Sequence, residues 1–120
     1  VSQSLKKMLA YGARQTGQVI EESRAQLRTA RHQWLTLFTD ADYLLLPTAP
    51  QTSFALDAGV PAGQADFTSP ASIAGLPAIS LPIGRASDGR ALSVQLIGRP
   101  QSDLGILRLA ARIEQALISR

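Results

Sequence analysis

Ala78-Ile79-Ser80-Leu81-Pro82-Ile83-Gly84 and Ala91-Leu92-Ser93-Val94-Gln95-Leu96-Ile97-Gly98 flank the segment Arg85-Ala86-Ser87-Asp88-Gly89-Arg90. Both flanking runs alternate apolar with small or polar residues, the period of a β-strand with one face covered. The intervening Asp88-Gly89 pair is a turn signal, because glycine accepts the positive φ that a tight reversal needs. Two strands, about 78–83 and 91–97, joined as an antiparallel hairpin are therefore expected. Pro82 has no N–H to donate to a ladder, which puts it at a sheet edge, a bulge or a strand end.

Working outward, Ser102 or Asp103 can cap a helix over about 104–119, with Ile106, Leu109, Ile113 and Leu117 on its buried face and Arg108, Arg112, Gln115 and Ser119 on its polar one. Upstream, Asp42-Tyr43-Leu44-Leu45-Leu46-Pro47 reads as a short buried strand over about 42–46 that proline stops. Before it, Ile20, Leu27, Ala30, Trp34 and Leu37 form an apolar stripe at helical spacing, predicting a helix over about 19–38 that lies on a core. A shorter helix over about 4–13 precedes it, ending near Gly12 and Gly17. Pro47 to Ser72 shows no sustained period and is rich in Ala, Gly, Pro, Thr and Ser. Structureless stretches beyond about 12 to 15 residues are uncommon in compact domains, so this one is expected to be functional or to rest on other polypeptide.

The 120 residues, 45% hydrophobic and 18% charged, suffice for one domain and exclude most multi-domain enzymes. With no cysteine, disulfides, thiolate metal sites and cysteine nucleophiles are excluded, and a reducing, cytoplasmic setting is the simplest expectation. No run approaches the roughly 18 apolar residues of a membrane span. The net charge is +3 and the isoelectric point near 10.0, with a mean hydropathy of +0.05. Residues 1–40 and 81–120 each carry six basic and three acidic groups, while residues 41–80 carry only Asp42, Asp57 and Asp66. Arg24, Arg28 and Arg31 share one helical face, as do Arg108 and Arg112, which suits solvated outer faces. With only Lys6 and Lys7 as lysines and no interleaved aromatics, a nucleic-acid partner is not expected.

No complete catalytic constellation can be drawn. His32 is the single histidine and lies beside Arg31 and Gln33, a surface setting; no Gly-x-Ser-x-Gly elbow, P-loop or dinucleotide fingerprint occurs. Asp57 and Asp66 lie on the long loop and read as solvated carboxylates or substrate-facing groups. No metal and no cofactor is called for.

Gln64-Ala65-Asp66-Phe67-Thr68-Ser69-Pro70-Ala71-Ser72-Ile73-Ala74-Gly75-Leu76-Pro77-Ala78, continuing through Pro82-Ile83-Gly84 to Gln95-Leu96-Ile97-Gly98-Arg99-Pro100, resembles the C-terminal part of amidase signature family enzymes. Leu44-Leu45-Leu46-Pro47-Thr48-Ala49-Pro50 is similar to that family's earlier strand ending in Pro-Thr-x-Pro, so the resemblance covers nearly the whole chain. One departure is Ser72, which stands where many members carry asparagine and has a shorter reach and a single donor.

The resemblance implies an α/β fold whose C-terminal part holds a mixed β-sheet with a hairpin flanked by helices, so that 1–120 is a single partial domain. It implies amide hydrolysis through a Ser, cis-Ser, Lys triad that belongs to a preceding region, which fits a chain opening at Val1. No catalytic residue is therefore assigned here. Phe67, Thr68 and Ser72 border the substrate channel by resemblance. The expected partners are a small-molecule amide substrate and the remainder of an amidase chain. A glutaminase-type subunit of a tRNA-dependent amidotransferase is a close variant. A stand-alone, non-catalytic module that binds a partner or forms a homodimer through uncovered strand edges is the alternative from another class. The chain by itself, incubated with simple amides, is expected to release no ammonia above background; measurable turnover would place the catalytic groups within these residues.

Overall fold

The computed structural model describes residues 2–119. Helix α1 spans Gln3–Ala13 and α2 spans Gly17–Thr36, followed by a 3-10 turn at Leu37–Thr39. Strand β1 is Tyr43–Pro47, a short helix α3 is Ser69–Ala74, β2 is Ala78–Arg85, β3 is Ala91–Gly98 and α4 is Asp103–Ile118. Ser2 and Thr16 start the first two helices, their hydroxyls accepting from Leu5 N (3.2 Å) and Val19 N (3.3 Å). Gly17 thus opens α2, and Gly12 lies within the last turn of α1.

β3 is the middle strand of an antiparallel sheet ordered β1-β3-β2. Ile97 faces Leu44 on one side and Ala78 on the other, and Gln95 faces Leu46 and Ser80. The hairpin closes where Ala86 N donates to the Arg90 carbonyl (2.8 Å) and Gly89, at φ +83°, donates to the Ala86 carbonyl (2.9 Å). Pro82 meets its constraint twice: β2 is an outer strand of the sheet, and its register shifts between Pro82 and Gly84.

One sheet face packs Ile97, which is fully buried, against Phe38, Ala71, Ala74 and Leu76, with Trp34, Leu35, Leu44 and Leu46 around them. α4 covers β2 and β3 from the opposite side, burying Ile106 and Ala110, with Leu109, Ile113 and Leu117 half-buried. Because α4 lies over β2 and β3, Leu45 on β1 remains 59% exposed, so β1 is a half-covered outer strand and not the buried one that its apolar run suggests.

Two further expectations change. Residues 69–74 are helical within a stretch that carries no period, because Pro70 suits a first helical turn and Ala71 and Ala74 bury one small face. Gly75, at φ +67°, then ends the helix in the left-handed conformation, its N–H donating to the Ala71 carbonyl. The apolar stripe of α2 reaches the core only at its end: Ile20, Leu27 and Leu37 are exposed, as are Leu5, Met8, Leu9 and Tyr11 on α1.

That exposure is part of a general excess. The radius of gyration is 17.6 Å, against about 14 Å for a compact domain of this length. The accessible surface is 8989 Å², where a compact monomer of this mass would show about 6,300 Å². The difference is as large as a permanent interface. Among the described residues, no helix is long and apolar enough to cross a membrane.

At the end of β3, Gly98 N donates to the Pro77 carbonyl (2.9 Å), and a Cβ at Gly98 would collide with the Ser102 hydroxyl. That hydroxyl donates to the Arg99 carbonyl (2.7 Å) and makes no cap to α4. Gly98→Ala is expected to destabilise by about 1–3 kcal/mol as an overpacking change. Urea unfolding should show part of this loss recovered in Gly98→Ala/Ser102→Ala, because the second change removes the colliding atom.

Candidate functional site

Where β1 ends and α3 begins, a cleft of about 390 Å³ opens on the face of the sheet that carries Gln95. Its hydroxyls come from Thr48, Thr68, Ser72 and Ser80, with Ala71, Leu76, Ala78 and Ile79 as the apolar lining. Thr48 Oγ1 and Ser80 Oγ lie 2.9 Å apart, either able to donate to the other. Thr68 sits at the N-cap position of α3, and Ser72 follows one turn later. The Thr68 hydroxyl does not cap the helix; it donates back to the Ala65 carbonyl at a long 3.4 Å. That hydrogen bond is weak enough for a ligand to displace.

Thr68 and Ser72 both line this one cleft. Phe67 is half-buried and is absent from the cleft lining; what it offers the site is its carbonyl, which accepts from Gln95 Nε2. Thr48, Ser80 and Gln95 are the residues that sequence reasoning does not select. Thr48 and Ser80 are 32 positions apart, and no local pattern joins them.

Among the described residues, no titratable side chain lines this cleft. It can orient an amide by donating to a carbonyl or accepting from an N–H, but it holds no general base to draw a proton from any hydroxyl. Among the described residues, no group of His, Asp and Glu is arranged to hold a metal ion. His32 is exposed on α2. Asp66 is exposed, and its N–H donates to the Gly63 carbonyl (2.9 Å) in the turn that leads to Thr68.

A second, larger cleft of about 480 Å³ lies between the hairpin and the long loop, with Phe54, Ile83, Leu92 and Val94 among its apolar walls. Arg90 secures the loop across it, donating to the Ser53 carbonyl (2.9 Å) and to Thr52 Oγ1 (3.4 Å), while Asp88 lies 3.4 Å from its Nε. Gln51 donates to Gln64 Oε1 further along the same loop. Leu56 and Val60 project outward between these ties.

The sequence pattern of the Amidase family matches residues 1–107. The chain belongs to the amidase family. A relative, the A-type subunit of the glutamyl-tRNA(Gln) amidotransferase of Wolbachia sp. subsp. Drosophila simulans (strain wRi), is 42% identical over 89 residues, which make up 71% of this chain and 18% of the relative. This amidase chain therefore spans less than a fifth of the length of that curated relative. Among solved structures, 6-aminohexanoate cyclic dimer hydrolase superposes with a TM-score of 0.71 at 28% identity, covering 100% of this chain and 29% of that one. A crystal structure of an amidase superposes with a TM-score of 0.85 at 22% identity, covering 97% of this chain and 29% of that one, a likeness of fold.

The two side-chain ties from Arg90 predict a specific weakness. Arg90→Ala is expected to make the exposed loop segment at Phe54 and Leu56 several-fold more sensitive to chymotrypsin, with the hairpin itself intact. Unchanged cleavage would mean that the loop is held by its backbone turns and the Gln51–Gln64 hydrogen bond.

Proposed function

We propose that this segment forms a substrate-facing wall of an amide hydrolase that adds water across a carboxamide to give a carboxylate and ammonia. The observation that carries the reading is the cleft of four hydroxyls, without a titratable group, in a chain of the amidase family. Thr68 and Ser72 hold the amide, and the carbonyl of Phe67 fixes the turn that presents them. The Ser, cis-Ser, Lys triad belongs to polypeptide outside these residues. There the lysine takes a proton through the bridging serine from the nucleophilic serine, and backbone N–H groups stabilise the oxyanion. The large exposed surface of α1 and α2 supports a body that rests on such polypeptide.

A second reading is favoured by the 42% identity to the A-type subunit of an amidotransferase. In it, glutamine is the amide and the released ammonia passes to an acceptor on a partner subunit. The two readings separate on substrate: preference for glutamine over simple aliphatic or aryl amides selects the second.

The test uses the longer amidase polypeptide that carries this segment. A neutral hydrogen bond contributes about 0.5–1.5 kcal/mol, so Thr68→Ala and Ser72→Ala should each raise KM by roughly two- to tenfold. The kcat should stay within about twofold, since uniform binding is what is lost. Unchanged KM in both variants would remove these hydroxyls from the site, and absence of ammonia release by the unaltered polypeptide would remove the hydrolase reading.

A further inference from the structure

Gln95 is the single polar side chain buried among the described residues, at 3% exposure, on the central strand of the sheet. A buried amide is retained without penalty only when its polar atoms are partnered. Its Nε2 donates to the carbonyl of Phe67, 28 residues away in the chain. The other hydrogen bonds at this turn are local: Thr68 N and Ser69 N both donate to the Ala65 carbonyl, at 3.1 and 2.8 Å. These shape the turn but do not place it on the sheet. The Phe67 carbonyl belongs to the peptide unit whose N–H is that of Thr68, and a peptide unit is planar. Holding that carbonyl therefore fixes where the Thr68 N and Cα lie, the base from which its hydroxyl reaches the cleft.

Gln95 also faces Ser80 across the β2–β3 ladder, and Ser80 lies within hydrogen-bond distance of Thr48. One buried amide thus references the Thr68 side of the cleft to the Thr48–Ser80 side. We propose that Gln95 is a positioning residue that fixes the Thr68 hydroxyl relative to the Thr48–Ser80 pair, and so sets the affinity of the cleft for its amide ligand. The proposal rests on the hydrolase reading for its kinetic consequences but not for its structural one.

In the longer amidase polypeptide, Gln95→Met keeps length and approximate volume and removes the donor. It should raise KM by roughly two- to tenfold, no more than Thr68→Ala does, and change kcat less than about threefold. In a Thr68→Ala background the same change should add less than about twofold, because Gln95 acts through that hydroxyl. Gln95→Glu presents a carboxylate to the Phe67 carbonyl at neutral pH and should raise KM at least as much; protonation restores an O–H donor, so its KM should fall toward the parent value as pH is lowered. A residue needed only to fill space would show neither the non-additivity nor the pH-dependent rescue. Should Gln95→Met fail to fold, Gln95→Glu at low pH provides the same comparison.

Amide hydrogen exchange supplies the readout that needs no substrate. Gln95→Met should speed exchange of the amides of residues 66–69 by about tenfold while those of β3 stay protected. Unchanged exchange in this turn, or full additivity with Thr68→Ala, overturns the proposal. If the unaltered polypeptide hydrolyses no amide, the functional reading falls while the exchange result still decides whether Gln95 anchors the turn.

Discussion

Gln95 and Ile97 lie two residues apart on the same face of β3, and their two kinds of burial organise what surrounds them. Ile97 is fully enclosed by Phe38, Ala71, Ala74 and Leu76, which brings the end of α2 and the whole of α3 down onto the sheet. In the turn that precedes α3, the Phe67 carbonyl accepts from the buried Gln95 amide. β3 can carry both roles because its backbone is paired on each side, leaving its side chains to set the packing above and below. An apolar residue thus packs beneath the helix, and a polar one two residues away hydrogen-bonds the turn that precedes it.

The resulting cleft is lined by hydroxyls from Thr48, Thr68, Ser72 and Ser80. Hydroxyls can meet either end of an amide, whereas acceleration requires a group that changes protonation state within reach of the reacting atoms. Among the described residues, no such group lines the cleft. The chain belongs to the amidase family and corresponds to 18% of the length of a curated relative. Apolar side chains along α1 and α2 remain uncovered because the sheet of three strands is too narrow to shield helices of 11 and 20 residues.

The long segment between β1 and α3 gains its order from side chains, not from a periodic backbone. Arg90 reaches it from the hairpin, Gln51 and Gln64 join its two limbs, and turns at residues 62–68 deliver it to α3. Its apolar tips remain outside, so the segment borders a cleft without contributing to the core.

Elements with a strong local period are legible in the sequence. The alternation of residues 78–98, the Asp88-Gly89 turn and the apolar face of α4 each correspond to what is observed, and the positional demand of Pro82 follows from its missing N–H. Likewise the residues 64–100 carry the family resemblance. Three features depend on the tertiary structure. α3 is too short, at six residues, for a 3.6-residue period to repeat. The Thr48–Ser80 pair and the Gln95 hydrogen bond join positions about 30 residues apart, a distance over which periodicity carries no information. The apolar stripe of α2 states which side of that helix avoids water, while the reach of the sheet decides that only its last turn is covered. Local pattern determined the facing of each element, because facing follows from the repeat of the backbone. Which faces meet, and which polar group is buried between them, was decided by packing.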